Sequence, residues 1–351
     1  MTDRFTVTYH VRSDAASIEA RAQGIAVEQS VEMPLAGVDE PSVLSDIVGQ
    51  IEGIDDLGVG TFSVRIGLAM ATIGEDPGQF LNMLFGNTSL QDDVTLADCD
   101  IPARFGRGPG IPVLRERLGV QGRAFTGSAL KPQGLAPERL AALAGRFAAG
   151  GLDFIKDDHG LADQAYSPFA VRVPLIARAV LAADGHALYI PSLTGDLEQM
   201  RRQAAIARDE GLDCMMVAPM IAGFSSVGAL TRAYPVVTFF AHPSMGGAAR
   251  IAPELLLGKL FPALGCGAVI FPTYGGRFGY SPDTCQRLVT NARPCLPVPA
   301  GGITLNRVPE LLDFYGPDTM LLIGGNLLLA RERIPEESAA FVNAVASHGK
   351  V

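Results

Sequence analysis

Four consecutive polar residues, Lys156, Asp157, Asp158 and His159, follow the short apolar run Leu152 to Ile155. The run has the length and composition of a buried strand, which places the four where that strand passes into a loop. Packing asks for no such cluster there. Carboxylates beside an imidazole can hold a cation, and the group reads as a metal site. The plainer reading is a structural ion pair between Lys156 and Asp157, and Asp157 itself reads as structural.

Other reactive residues sit at equivalent places. Ser128-Ala-Leu-Lys131-Pro-Gln133, Ala241-His242-Pro-Ser, Thr273-Tyr-Gly-Gly-Arg277, Ala300-Gly301-Gly302 and Gly324-Gly325 each come directly after an apolar run. The two glycine pairs stand close to helix starts and fit a phosphate cradle of backbone N–H groups and helix dipoles. The plainer and less favoured reading of His242 is a histidine satisfied beneath the rim. His10, His186 and His348 lack a partner motif and read as surface or strand-end residues. Met215, Met216 and Met220 read as core.

These segments need a scaffold that brings all of them to one side. Strand-like runs occur at 124–130, 153–158, 187–193, 214–219, 236–241, 268–273, 296–301 and 320–325, each followed by a helical stretch such as 137–149 or 196–210. Eight βα units in that length predict a (β/α)8 TIM barrel, whose active groups lie on the loops after the strands. Residues 1–103 differ. Strand-like runs at 4–10, 24–33 and 61–70, helical stretches at 41–53 and 76–83, and a polar segment at 89–101 predict a small α+β domain, helices on an antiparallel sheet in a ferredoxin-like sandwich. A linker rich in Gly and Pro begins at Arg104, so the expected division is 1–103 and 104–351.

Composition excludes several classes of function. With 48% hydrophobic residues the 351-residue chain can bury a substantial core. A net charge of −9 offers no basic face for nucleic acid or an anionic membrane. No apolar run reaches the ~18 residues of a membrane span. The 5 cysteines form no CxxC pair and read as small core residues of a reducing compartment, so the cytoplasm is the expected location.

The segments 122–135 (Gly-Arg-Ala-Phe-Thr-Gly-Ser-Ala-Leu-Lys-Pro-Gln-Gly-Leu) and 150–158 (Gly-Gly-Leu-Asp-Phe-Ile-Lys-Asp-Asp) resemble the large subunit of ribulose bisphosphate carboxylase, and the agreement runs through nearly the whole chain. The resemblance implies that Lys156 is carbamylated by carbon dioxide and holds Mg2+ with Asp158, His159 standing where a third ligand, a glutamate, is expected. It further implies that Lys131 handles the enolising proton, that His242 lines the substrate, and that Gly301, Gly302, Gly324 and Gly325 bind phosphate. Glu28 and Asn87 match residues that reach into the partner subunit, which implies a homodimer with shared sites.

Departures from that pattern redirect the function. The segment after the sixth barrel strand, Thr273 to Gly279, has no lysine to meet carbon dioxide; Gln133 replaces a second lysine, Ala300 a serine and Pro243 an arginine. The chain therefore resembles a RuBisCO-like protein that enolises a phosphorylated ketose without fixing carbon dioxide. Its Arg277 is a candidate for holding a substrate group of different charge. Because imidazole suits Mg2+ less than softer ions, Mn2+, Zn2+ or no metal stay open. Isomerisation, as of 5-methylthioribulose 1-phosphate, is the first expectation. Decarboxylation of a β-keto sugar-acid phosphate, with Arg277 on the carboxylate, is the second, and a catalytically silent sugar-phosphate-binding protein the third. The related diketone enolases use a lysine near Asn87, and Phe85 to Asp98 contains none.

Overall fold

The computed structural model describes residues 3–183 and 186–348. The amino half forms an antiparallel sheet of four strands, β1 (Arg4–Arg12), β2 (Gln50–Gly58), β3 (Thr61–Ala69) and β4 (Val94–Cys99), in the order β2-β3-β1-β4. Phe5, Val7, Tyr9 and Val11 of β1 alternate inward with Phe62, Val64, Ile66 and Leu68 of β3. They meet the buried faces of α1 (Ile18–Glu28) and α2 (Pro77–Phe85). Chain order and strand order together give a βαββαβ sandwich of helices on an antiparallel sheet, the class expected of the amino half, although not the expected order of elements.

Two amino-half expectations are corrected. The run at 24–33 is not a strand: its apolar residues continue the helical spacing Ile18, Ala22, Ile25, Ala26, so α1 occupies the segment through Glu28. The stretch at 41–53 is not one helix either. A single wide turn at Val43–Ile47 gives way at Gln50 to β2, an edge strand exposed along most of its length.

All eight expected barrel strands are present: β5 (Phe125–Leu130), β6 (Phe154–Asp157), β7 (Leu188–Ile190), β8 (Cys214–Val217), β9 (Thr238–Ala241), β10 (Ala268–Pro272), β11 (Leu296–Ala300) and β12 (Met320–Leu322). Where β7 meets β8, the ring closes through the Leu193 N–H donating to Met216 O at 2.8 Å and the Met216 N–H donating to Pro191 O at 2.8 Å. The helix α3 (Ile111–Leu118) precedes the first barrel strand, and α4 (Pro137–Ala149), α5 (Phe169–Leu181) and α6 (Leu197–Asp209) begin the outer layer. Asp196 starts α6 with a capping box shared with Gln199.

Strand periodicity decides which side chains reach the site. Phe125, Phe154, Ile190, Met216, Phe240, Ile270, Val298 and Met320 fill the barrel interior, joined from below by Ile111, Leu114 and Leu118 of α3. Counting two residues on from these inward positions gives Lys156 on β6 and His242 after β9; Lys131 continues the inward parity of β5. Ile155, one residue out of phase, belongs to the layer between strands and helices, and so does Asp157. With α3 plugging the bottom, only the C-terminal mouth is left to carry chemistry.

The two sheets are hydrogen-bonded together. The Leu96 N–H donates to Arg250 O and the Ala252 N–H to Leu96 O, both at 2.9 Å, so β4 extends onto the segment after β9. Arg250 fastens the same junction through the carbonyls of Ser89, Val94 and Gln91.

Candidate active site

Lys156 differs from the loop residue expected of it. It is the third residue of β6, only 2% exposed, and its Nζ donates to the Asp157 carbonyl at 2.6 Å. Burial pulls its amine down to about 8, against the charges of Asp158 and Asp157. The neutral amine is thereby more accessible near pH 7 than it is for a free lysine. The side chain is thus a concealed amine at the centre of the mouth.

Asp157 turns the other way. Its carboxylate accepts from the Tyr189 hydroxyl at 2.8 Å, the Ser192 N–H at 3.1 Å and the fully buried Arg172 guanidinium at 3.3 Å. The contact with Arg172 ties α5 to the barrel wall, and Arg172 also donates to Ser167 O just ahead of the helix at 2.6 Å. Asp157 is structural, although its partner is Arg172 and not Lys156.

Asp158 lies just past the strand and faces the mouth. Its Oδ1 accepts from Lys131 Nζ at 2.7 Å and is 3.2 Å from His159 Nδ1. Its Oδ2 has no hydrogen-bond partner among the described residues. Burial would raise this carboxyl, but the bonds from His159 and Lys131 and the charges of Lys131 and Lys156 outweigh it and hold the group well below the carboxylate range. His159 is half-exposed and stacks on His242, ring centroids 4.3 Å apart and planes 14° from parallel.

His242 is largely buried, which with the nearby charge of Lys156 drives its imidazole far below the usual value and keeps it neutral. The Ser244 N–H donates to Nδ1 at 3.2 Å, leaving the ring proton on Nε2. Ser244 was not foreseen; a hydroxyl residue two positions after the histidine was the only available signal.

Opposite this cluster stand the glycines. Gly301 has φ +87° and Gly302 φ +107°, and a Cβ on Gly301 would meet the Phe278 ring at 3.0 Å. The Arg277 N–H donates to Gly301 O at 3.1 Å, and the Arg277 guanidinium stands 5.1 Å from the Phe278 ring centroid with no ion pair among the described residues. Gly324 and Gly325 border open space, Gly325 opening the short helix Gly325–Leu328. Gln133 reaches across from the first barrel loop to lie against Gly160.

Farther off, Asn87 Nδ2 donates to Glu28 Oε1 at 3.0 Å, and Gln29 beside it donates to Met83 O at 2.8 Å. The two amino-half candidates therefore form one pair at the end of α1. His186 and His348, which carry no partner motif, each meet a carboxylate distant in sequence: His186 Nε2 is 2.9 Å from Asp153 Oδ1, and His348 Nε2 is 3.2 Å from Asp313 Oδ1. All five cysteines are buried and free, and Met215 and Met216 are core.

Among the described residues no three His, Cys, Asp or Glu side chains stand together as a metal site. Asp158 and His159 alone give one carboxylate and one imidazole, too few oxygens for Mg2+. A carboxylate built onto the Lys156 amine would add oxygens to those of Asp158, whose charge already acts on that amine, and the lowered basicity of the amine favours the neutral form that attacks carbon dioxide. With that addition the residues fit a divalent cation.

Comparison with known proteins places this geometry. The catalytic-domain profile of the ribulose bisphosphate carboxylase large chain matches residues 110–253. Over 99% of its length the chain is 57% identical to a Rhodospirillum rubrum protein named 5-methylthioribulose-1-phosphate isomerase, covering 97% of that protein. The chain belongs to the RuBisCO-like proteins of this family. Ribulose bisphosphate carboxylase-like protein 1 of Rhodopseudomonas palustris is 55% identical, with both chains covered in full. A crystal structure of a RuBisCO-like protein from the same species superposes with a TM-score of 0.92 at 48% identity, over 99% of each chain. The superposition over 99% of each chain takes in both sheets, the four-stranded one and the ring of eight.

Proposed function

We propose that this RuBisCO-like protein is an isomerase of 5-methylthioribulose 1-phosphate, which moves protons between the carbons around a ketone and does not fix carbon dioxide. The observation that carries this reading is the Lys131 to Asp158 contact of 2.7 Å beside the buried Lys156 amine, a proton-handling group set next to anionic and cation-binding positions. The full-length similarity to the Rhodospirillum rubrum isomerase supplies the substrate.

In this reading Asp158, His159 and a carbamate on Lys156 would hold Mg2+, which would supply Lewis-acid polarisation of the ketone and its neighbouring hydroxyl. The chain's own groups do the rest. Lys131, whose Nζ contacts Asp158 at 2.7 Å, is the group placed to take the proton from one carbon and to give it back at the next. The neutral His242 offers Nε2–H to a substrate oxygen. Gly301, Gly302, Gly324 and Gly325 present backbone N–H groups to the phosphate, and Arg277, pinned beside Gly301, adds the countercharge. Gln133 closes over the loop at Gly160. The division at residues 103 and 104 separates the barrel from a sandwich that lends the Glu28–Asn87 pair to the partner subunit of a homodimer.

The test is incubation of the protein with 5-methylthioribulose 1-phosphate in deuterated water, Mg2+ and bicarbonate present or withheld, followed by phosphorus and proton NMR. A new ketose phosphate carrying deuterium, formed only with both additions, is expected. Release of carbon dioxide from a β-keto sugar-acid phosphate in place of this would move Arg277 to a carboxylate and make the enzyme a decarboxylase. Tight binding with neither reaction would leave a silent binding protein.

A further inference from the structure

The mouth has a second compartment that the reacting groups do not use. Between the ends of β7, β8 and β9 lies a cavity of about 60 Å3, walled on one side by His159 and His242. Leu193, Met216, Ala218, Ile221 and Ala222 form its apolar lining, and no lysine, arginine, aspartate or glutamate contributes to it. Met216 points inward from β8 as its floor, while Ile221 at the lip is 66% exposed. An exposed isoleucine beside an apolar hollow and two stacked imidazoles has no packing role to explain it.

Size and chemistry restrict the occupant. Space of this order takes a few heavy atoms and not a sugar ring. An anion there would be desolvated with no countercharge, so neither a phosphate nor a carboxylate belongs in it. A thioether suits it: apolar, polarisable, and favoured against ring faces and edges such as those of His159 and His242.

Position settles the direction. In the ring of eight strands β8 lies four strands from β12 and β7 four from β11, so the cavity is diametrically across the mouth from the glycines after β11 and β12. Lys131, Lys156 and Asp158, on β5 and β6 and their loops, stand between the two. A substrate with phosphate on the glycines is stretched past the lysines with its other end at this cavity.

We infer that the cavity between β7, β8 and β9 is the pocket for the methylthio end of the substrate, and that Leu193, Met216, Ile221 and Ala222 determine specificity there. The inference rests on the isomerase reading for the identity of the thioether, and its test does not depend on turnover. The probes are two inert alcohols, 5-methylthioribitol 1-phosphate and ribitol 1-phosphate, titrated calorimetrically into the full-length protein with Mg2+ and bicarbonate. The methylthio compound is expected to bind about 10- to 100-fold more tightly, the usual range for a small apolar group in a fitted pocket. Ala222→Leu, which fills the cavity from a partly exposed position, should bring that ratio towards one. Ile221→Ala, which removes the lip, should lower it too and serves if the first variant does not fold. Equal binding of the two alcohols by the unaltered protein, or a ratio untouched by both substitutions, overturns the pocket. Selective binding without isomerisation would keep the pocket and remove the isomerase reading.

Discussion

Asp157 and Asp158 are neighbours in the chain and lie on opposite sides of the barrel wall. Asp157 faces outward to Arg172 and Tyr189, while Asp158 faces the mouth and Lys131. A strand end gives adjacent residues opposite directions, so one motif supplies both an anchor for α5 and a group for chemistry.

The two aspartates should therefore separate cleanly on substitution. Asp157→Ala strands a fully buried guanidinium and should cost about 3–5 kcal/mol of stability, the usual loss when one member of a buried pair is removed. Asp158→Asn should cost less stability than Asp157→Ala, because the contacts it loses lie at the open mouth, and should abolish isomerisation. Urea titration alongside the NMR assay reads both, and equal stability losses would refute the division of roles.

Lys156→Met keeps the volume of a buried chain and removes a charge that burial disfavours. Stability should stay level or rise, while activity and its dependence on bicarbonate both vanish. Residual activity that still responds to bicarbonate would place the modified amine elsewhere.

The glycines make a contrasting pair. Gly302→Ala forces a side chain onto φ +107° and against Gly276 Cα at 3.1 Å, so it should destabilise the protein by about 1–3 kcal/mol. Gly325→Ala meets nothing within 4 Å and should leave the melting temperature nearly unchanged while raising KM for the phosphorylated substrate about 10-fold. An unchanged KM would take Gly325 out of the phosphate cradle.

His186 supplies a pH test remote from the mouth. Its hydrogen bond to Asp153 raises its pKa, with burial and Arg123 opposing. A raised histidine contributes stability that is complete below its ordinary value near 6.5 and fades as pH rises through the folded-state value. The stability difference between the unaltered protein and His186→Leu should accordingly be largest below about pH 6.5 and shrink above it. A difference that grows with pH would mean that the imidazole is not protonated against Asp153.

Sharing of sites can be checked by mixing. Glu28→Gln and Lys156→Ala should each inactivate the protein alone. Random mixed dimers would regain about a quarter of full activity if Glu28 serves the partner's barrel, since each mixed dimer keeps one intact site. No recovery would confine Glu28 and Asn87 to capping their own helix.

The barrel was legible because each buried parallel strand is a short apolar run closed by a loop carrying uncommon residues, and Lys131, Lys156, Asp158, His159 and His242 could be placed on one rim from that alone. The amino half was less so. Val27 and Val31 lend 24–33 a false alternation, and only the wider spacing from Ile18 reveals the helix. What stayed hidden depends on partners distant in sequence. Nothing near Asp157 announces Arg172, 15 residues on, and the burial of Lys156 follows from its phase within β6. The thioether cavity is assembled from the ends of three strands and has no motif of its own.

The hydrogen bonds from Leu96 to Arg250 and Ala252 have one more consequence. They join the edge of the amino sheet to the same segment that leads away from His242, so the sandwich serves the barrel as a buttress. A barrel cut free at residue 104 would lose the support on which its imidazole wall leans. The catalytic half is for this reason not a portable module, and the two sheets should melt as a single cooperative body.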